Sequence, residues 1–129
     1  MLHIGIDLGK YKSAVAVLDE HAKICEPTPF YCKMLELSEK IIKLAGKDNL
    51  LVGIDAPLNL PKKGNSRECE KKLLRQGISV YPAGAEFFKE VTQSGMMLRN
   101  RLANSTIQIV EIYPYASRKR LNIMRPGKD

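Results

Sequence analysis

Apolar and polar residues alternate from the first positions of the chain. Leu2, Ile4, Ile6 and Leu8 fall on one face of an extended segment, with His3, Gly5 and Asp7 on the other. The polar stretch Gly9-Lys10-Tyr11-Lys12 reads as a turn into a second strand over residues 13–18. Asp19-Glu20-His21 turns again, toward a third, weaker strand over residues 23–26 that Pro27 and Pro29 close. Short turns between successive strands predict an antiparallel meander. Over residues 34–45 the period becomes helical, with Leu37, Ile41, Leu44 and Ala45 in one stripe and Gly46 as a stop. Residues 50–54 are an almost unbroken apolar run, the pattern of a strand buried on both faces. With the helix as crossover, that strand is expected to run parallel to an earlier one.

Asp55-Ala56-Pro57 then opens a loop rich in Pro, Gly and Lys that extends to Gly64. Asn65 and Ser66 suit a helix cap, and Glu68 stands three residues after Asn65 as in a capping box. That helix is expected to end at Gln76, before Gly77. A further helix is predicted over residues 85–102, with Phe87, Phe88, Val91, Leu98 and Leu102 inward. Residues 106–113 read as a last strand ended by Pro114, and a short basic helix over residues 117–124 follows. The order β-β-β-α-β-α-α-β-α predicts an α/β fold with a mixed five-stranded sheet: an antiparallel meander joined to parallel strands, with helices on the faces. At 129 residues there is room for one such domain.

Composition adds limits. Cys25, Cys32 and Cys69 are an odd number at no zinc-ligand spacing, so reduced structural thiols are expected. No apolar stretch reaches the length of a membrane span, and the first residues lack the form of a signal peptide. A soluble, cytoplasmic protein is the expectation. The formal net charge of +7 suits a polyanionic partner such as nucleic acid but does not identify one.

The chemistry-bearing signal is a set of acids. Asp7, Asp55 and Glu111 each lie in, or at the end of, an expected strand. Singly, each has a structural explanation: a turn-forming Asp at a strand end, or an Arg partner for Glu111. Together they say more. Neighbouring strands lie about 4.8 Å apart, so acids at adjacent strand ends come close enough to repel unless a cation sits between them. Mg²⁺ or Mn²⁺ tolerates such a site, using one or two carboxylates, waters and substrate phosphates. Two such ions suit cleavage of a phosphodiester. Gly5 and Gly53 stand two residues before Asp7 and Asp55 on the same face and leave room there for substrate or a helix. Candidate phosphate-holding cations are Lys10 and Lys12 in the first turn, Arg67 and Arg75 with Lys71 at helical spacing, and Arg118 in a basic cluster with Lys119, Arg120 and Arg125. The Gly9-Lys10-Tyr11-Lys12-Ser13 turn serves equally as a solvated hairpin. His3 and His21 have no partner at a diagnostic spacing, and no local Ser-His-Asp or Cys-His signature is present.

The stretches HIGIDLGKYKSAVAVLD, VGIDAPLNLP, RECEKKLLRQGISVYP and VEIYPYASRKRL resemble the motifs of domain-of-unknown-function family 429, regarded as predicted nucleases with a ribonuclease H-like fold. The resemblance runs from about Leu2 to Leu121. It implies that Asp7 and Asp55 ligate metal, that Glu111 is a third site residue, and that Arg67 is a cation beside them. It also implies a later acid on a further helix. The sequence ends at Arg125-Pro126-Gly127-Lys128-Asp129, so that acid is expected to be absent unless Asp129 substitutes or a partner chain supplies it, as in a homodimer. Without it the site is expected to be slow or inactive.

Three functions are therefore expected in order: a Mg²⁺- or Mn²⁺-dependent nuclease in which Asp7 and Asp55 bridge the metal and Glu111 ligates it or orients water, a nucleic-acid-binding or assembly protein of the same fold without catalysis, and part of an actin-like ATPase. The Asp-Leu-Gly-Lys turn suggests the last, for which the chain is short of two lobes.

Overall fold

In the computed structural model, which describes residues 1–25, 29–123 and 125, the N-terminal alternation becomes two antiparallel strands. These are β1 (Leu2–Asp7) and β2 (Ser13–Leu18), and β3 (Phe30–Cys32) adds to β2 in antiparallel sense. The helix α1 (Met34–Ala45) crosses over to β4 (Leu50–Ile54), which lies parallel to β1. Two helices, α2 (Glu68–Arg75) and α3 (Lys89–Arg101), precede β5 (Ile107–Glu111), which lies parallel to β4. The last helix is α4 (Pro114–Leu121). The mixed five-stranded sheet runs β3-β2-β1-β4-β5.

The register explains the core. Ile4 and Ile6 stand level with Val52 and Ile54, and all four are buried with Leu37 and Ile41 of α1, Leu98 of α3 and Leu102 at its end. Each such side chain contributes about 1.5–3 kcal/mol by leaving water. The opposite sheet face carries His3, Gly5, Leu51, Gly53 and Val110; there Ala16, Gln108 and Val110 are exposed. No helix among the described residues is long and apolar enough to cross a membrane.

Several element boundaries differ from expectation for local reasons. The third strand is at Phe30–Cys32, not residues 23–26. Asp19 Oδ1 accepts hydrogen bonds from the His21 and Lys23 amides, both 2.9 Å, and Ala22 is left-handed, so the turn extends through residue 23. Ile24 then makes an isolated bridge to Leu18. Glu26 and Pro27 lie outside the described residues, and Pro29 stands directly before β3.

The second helix begins two residues later than the Asn65 cap implies. Arg67 is the cap, and its backbone N–H donates to Glu70 Oε1 at 2.8 Å, so the carboxylate that closes the first turn is Glu70 rather than Glu68. In the third helix the inward stripe is Thr92, Gly95 and Leu98, followed by Leu102. That phase leaves Phe87 before the helix and 72% exposed, while Phe88 and Val91 are only partly buried. Pro114 does not merely end β5. It opens α4 at the first helical position, where its missing N–H costs no hydrogen bond. Met124 lies outside the described residues.

Candidate functional site

The sheet's register brings the two aspartates together. Ile6 is level with Ile54, and the Asp55 amide donates to the Ile6 carbonyl at 2.9 Å. Asp7, the last residue of β1, and Asp55, the residue after β4, therefore each stand one step beyond the level pair Ile6 and Ile54, at the ends of adjacent parallel strands. Asp7 is exposed and Asp55 half-buried. The Asp55 carboxyl is pushed above its ordinary range, first by burial, then by the charges of Asp7 and Glu111.

Glu111 sits at the same end of the sheet in a different arrangement. It is level with Ile54, the residue before Asp55, and its charge acts on the Asp55 carboxyl. Its two oxygens accept hydrogen bonds from the Arg67 guanidinium, Nη1 to Oε2 at 2.8 Å and Nη2 to Oε1 at 2.7 Å. The Leu58 amide adds a third bond to Oε2, at 3.1 Å. Arg67 in turn donates from Nε to Glu70 Oε2 at 3.0 Å and from Nη1 to Asn59 Oδ1 at 2.7 Å, and Nη2 lies 2.9 Å from Glu70 Oε2. All of its donors are engaged by the protein. The hydrogen bonds it donates to Glu111 hold the guanidinium well above its ordinary pKa, against the effect of burial.

Glu70, only 1% exposed, also accepts the Ala83 amide, and Thr92 Oγ1 donates to the Ala83 carbonyl at 2.7 Å. One ionic network thus ties the β4 loop, α2, the 80s segment, α3 and the end of β5. Gly95 completes the fit: a Cβ there would stand 2.4 Å from the Pro57 carbonyl oxygen, so α3 can press on the loop after Asp55 only through a glycine.

Beside this network lies a cleft of about 350 Å³, with Asp55, Arg67 and Glu111 at one end and Tyr81, Phe88 and Tyr113 along its wall. The Tyr113 hydroxyl donates to the Ser79 carbonyl at 2.6 Å. Its phenol is pushed upward by burial, then by Tyr115 and Asp55.

The other expected cations are spread around this centre. Lys10 lies in a second, smaller cleft with Phe87 and comes within 4.0 Å of Glu90. Lys12 is exposed in the hairpin turn, where the Gly9 amide donates to Ser13 Oγ at 3.2 Å and is thus used inside the turn. Arg75 is exposed at the end of α2, and Arg118 stacks over the Tyr115 ring at 5.7 Å. Asp129 lies outside the described residues. Space differs at the two glycines: a Cβ on Gly5 would meet nothing within 4 Å, whereas one on Gly53 would meet the Ile112 side chain at 3.0 Å.

The donors present fit one kind of metal site. Among the described residues no group of three His, Cys, Asp or Glu is arranged to hold an ion. Two neighbouring carboxylates, one of them raised first by burial and then by the charge of the other, are donors that would suit a water-rich Mg²⁺ or Mn²⁺ site completed by substrate oxygens.

Sequence reasoning missed Glu70, Asn59 and the aromatic wall. Glu70 had a usable signal, since it stands three residues after Arg67 in RECE, but Asn65 and Ser66 were stronger caps by residue type. Tyr81 and Tyr113 join the site through chain crossings that no local spacing encodes.

Searches of curated proteins and of solved structures returned no match. A protein-family model does match, over residues 5–128, and with nearly the whole chain covered the protein belongs to the family described as "Protein of unknown function (DUF429)".

Proposed function

We propose that the chain is a metal-dependent nuclease with a ribonuclease H-like sheet, acting on the phosphodiester bonds of nucleic acid. The observation that carries this reading is the placement of Asp7 and Asp55 at the ends of β1 and β4, with the Asp55 carboxyl raised partly by the Asp7 charge. The strand order β3-β2-β1-β4-β5, with β2 antiparallel to both its neighbours, supports the fold assignment.

In this reading Asp7 and Asp55 are the protein's ligands to Mg²⁺ or Mn²⁺. The bound ion supplies activation of the attacking water and stabilisation of the leaving oxygen. Glu111 accepts hydrogen bonds from Arg67 and the Leu58 amide, so it positions the Asp55 loop. Arg67 is likewise a positioning residue, because a phosphate reaches it only by displacing a bond it already makes. Lys10, Lys12, Arg75 and Arg118 contribute to the net positive charge that draws a polyanion.

One observation favours a second reading, nucleic-acid binding without cleavage: Glu111 is tied to Arg67 through both oxygens, which leaves the acid pair without a third carboxylate ligand among the described residues. A cleavage assay separates the two. Labelled DNA and RNA are incubated with Mg²⁺ or Mn²⁺, and the nuclease reading expects cutting that disappears with chelator and in Asp7→Asn. Salt-sensitive binding with no cutting in either metal selects the second reading.

A further inference from the structure

Two large aromatic rings near the acid pair are held away from the core, and Phe88, Tyr113 and Tyr115 beside them are half-buried. Phe87 is 72% exposed and Tyr81 64% exposed, and their rings meet edge to face at 5.6 Å. Phe88 closes on Tyr81 at 5.3 Å. Tyr81 and Tyr113 together wall the 350 Å³ cleft that contains Asp55, and the same two residues line an adjoining groove with Tyr115. Tyr113 and Tyr115 lie 5.8 Å apart, and Arg118 and Lys119 each stand 5.7 Å from the Tyr115 ring. At the far end, Phe87 shares its cleft with Lys10. The rings thus form a row, Phe87, Tyr81, Tyr113, Tyr115, with cations at both ends and Asp55 opening beside its middle.

Rings in this setting suit a particular ligand. An exposed aromatic face stacks on a nucleobase whatever its identity, and flanking Lys and Arg side chains take the phosphates. Paired bases are already stacked and turned inward, so such a row gains nothing from an intact duplex. The cleft volume lies at the low end of the roughly 300–1,000 Å³ typical of pockets that enclose one small ligand.

We infer that the row from Phe87 to Tyr115 is a stacking track for single-stranded nucleic acid, which directs an unpaired strand across the acid pair. The inference rests on the nucleic-acid reading of that site and adds its substrate class. One base stacks on the Tyr81–Phe87 pair, and the neighbouring phosphate lies toward Asp55. The strand continues over Tyr113 and Tyr115 to Lys119.

The test is binding in chelator, where metal-dependent cutting does not occur. Fluorescence anisotropy is read for the whole chain with a short labelled DNA strand of mixed sequence, the same sequence as RNA, and the DNA annealed to its complement. Both single strands are expected to bind more tightly than the duplex. Tyr81→Ala and Phe87→Ala should each weaken single-strand binding about 5- to 100-fold while duplex binding stays as it was. Tyr81→Phe, which keeps the ring, should bind like the parent, and unchanged melting temperatures exclude unfolding as the cause. Equal affinity for strand and duplex, or alanine variants that bind single strands like the parent, overturns the inference. Ring-dependent binding by a protein that cuts nothing in Mg²⁺ or Mn²⁺ sustains the track and removes the nuclease reading. Cutting with ring-independent binding does the reverse.

Discussion

Arg67 and Glu111 face each other as a two-point pair, Nη1 to Oε2 at 2.8 Å and Nη2 to Oε1 at 2.7 Å, across 44 residues of sequence. The same guanidinium grips Glu70, which is 1% exposed, so removing it strands a buried carboxylate as well as freeing the end of β5. Arg67→Ala is therefore expected to destabilise the protein by about 3–5 kcal/mol, the cost of breaking a buried pair from one side. Arg67→Lys should recover little, because a single ammonium cannot reach Glu70, Asn59 and Glu111 together. Urea unfolding of the two variants checks both statements.

The raised Asp55 carboxyl gives the stability a definite pH dependence. Below the ordinary value of 3.8 the group is protonated in both folded and unfolded chains and contributes nothing. Between 3.8 and the raised folded value the native state holds the extra proton, so stability falls as pH rises. Above that window the cost is complete. Asp55→Asn should thus melt higher than the parent at neutral pH in chelator, and the difference should vanish at acid pH. A series of thermal melts across pH measures it; a parent that gains stability relative to Asp55→Asn as pH rises would contradict the assignment.

Two glycines should respond differently to the same substitution. Gly95→Ala gains about 1 kcal/mol of helix propensity, but its Cβ would stand 2.4 Å from the Pro57 carbonyl oxygen, a backbone atom that cannot swing aside. The overpacking should win, with a net loss of about 1–3 kcal/mol and displacement of the Asp55 loop. Gly5→Ala meets nothing within 4 Å and should leave stability within about 0.5 kcal/mol of the parent. Denaturation midpoints of the pair decide this.

What was legible in the sequence was what local periodicity encodes. The alternation of residues 2–8, the stripe of α1 and the apolar run of β4 each state their element directly, and a helix between two strands implies the parallel pairing of β1 with β4. The placement of Asp7 and Asp55 at adjacent strand ends follows from that pairing. Glu111 was visible as an acid in a strand, but its partner was not, because Arg67 reaches it from α2 through the tertiary fold. The cap at Arg67 was hidden for the same reason: Glu70 is fixed by Ala83 and by the Arg67 side chain, and these contacts override the cap preference of Asn65. Aromatic rings in a helix-like run suggest core, and Phe87 is a surface residue because the inward phase of α3 is set by Thr92, Gly95 and Leu98.

The central claim is that Asp7 and Asp55 together hold a divalent ion. Titrating Mn²⁺ into the protein at neutral pH, and following the loss of the free-ion paramagnetic resonance signal, measures this without reference to any substrate. The account predicts saturable binding by the parent that is lost in both Asp7→Asn and Asp55→Asn. No binding by the parent, or equal binding by the parent and the two variants, would contradict it.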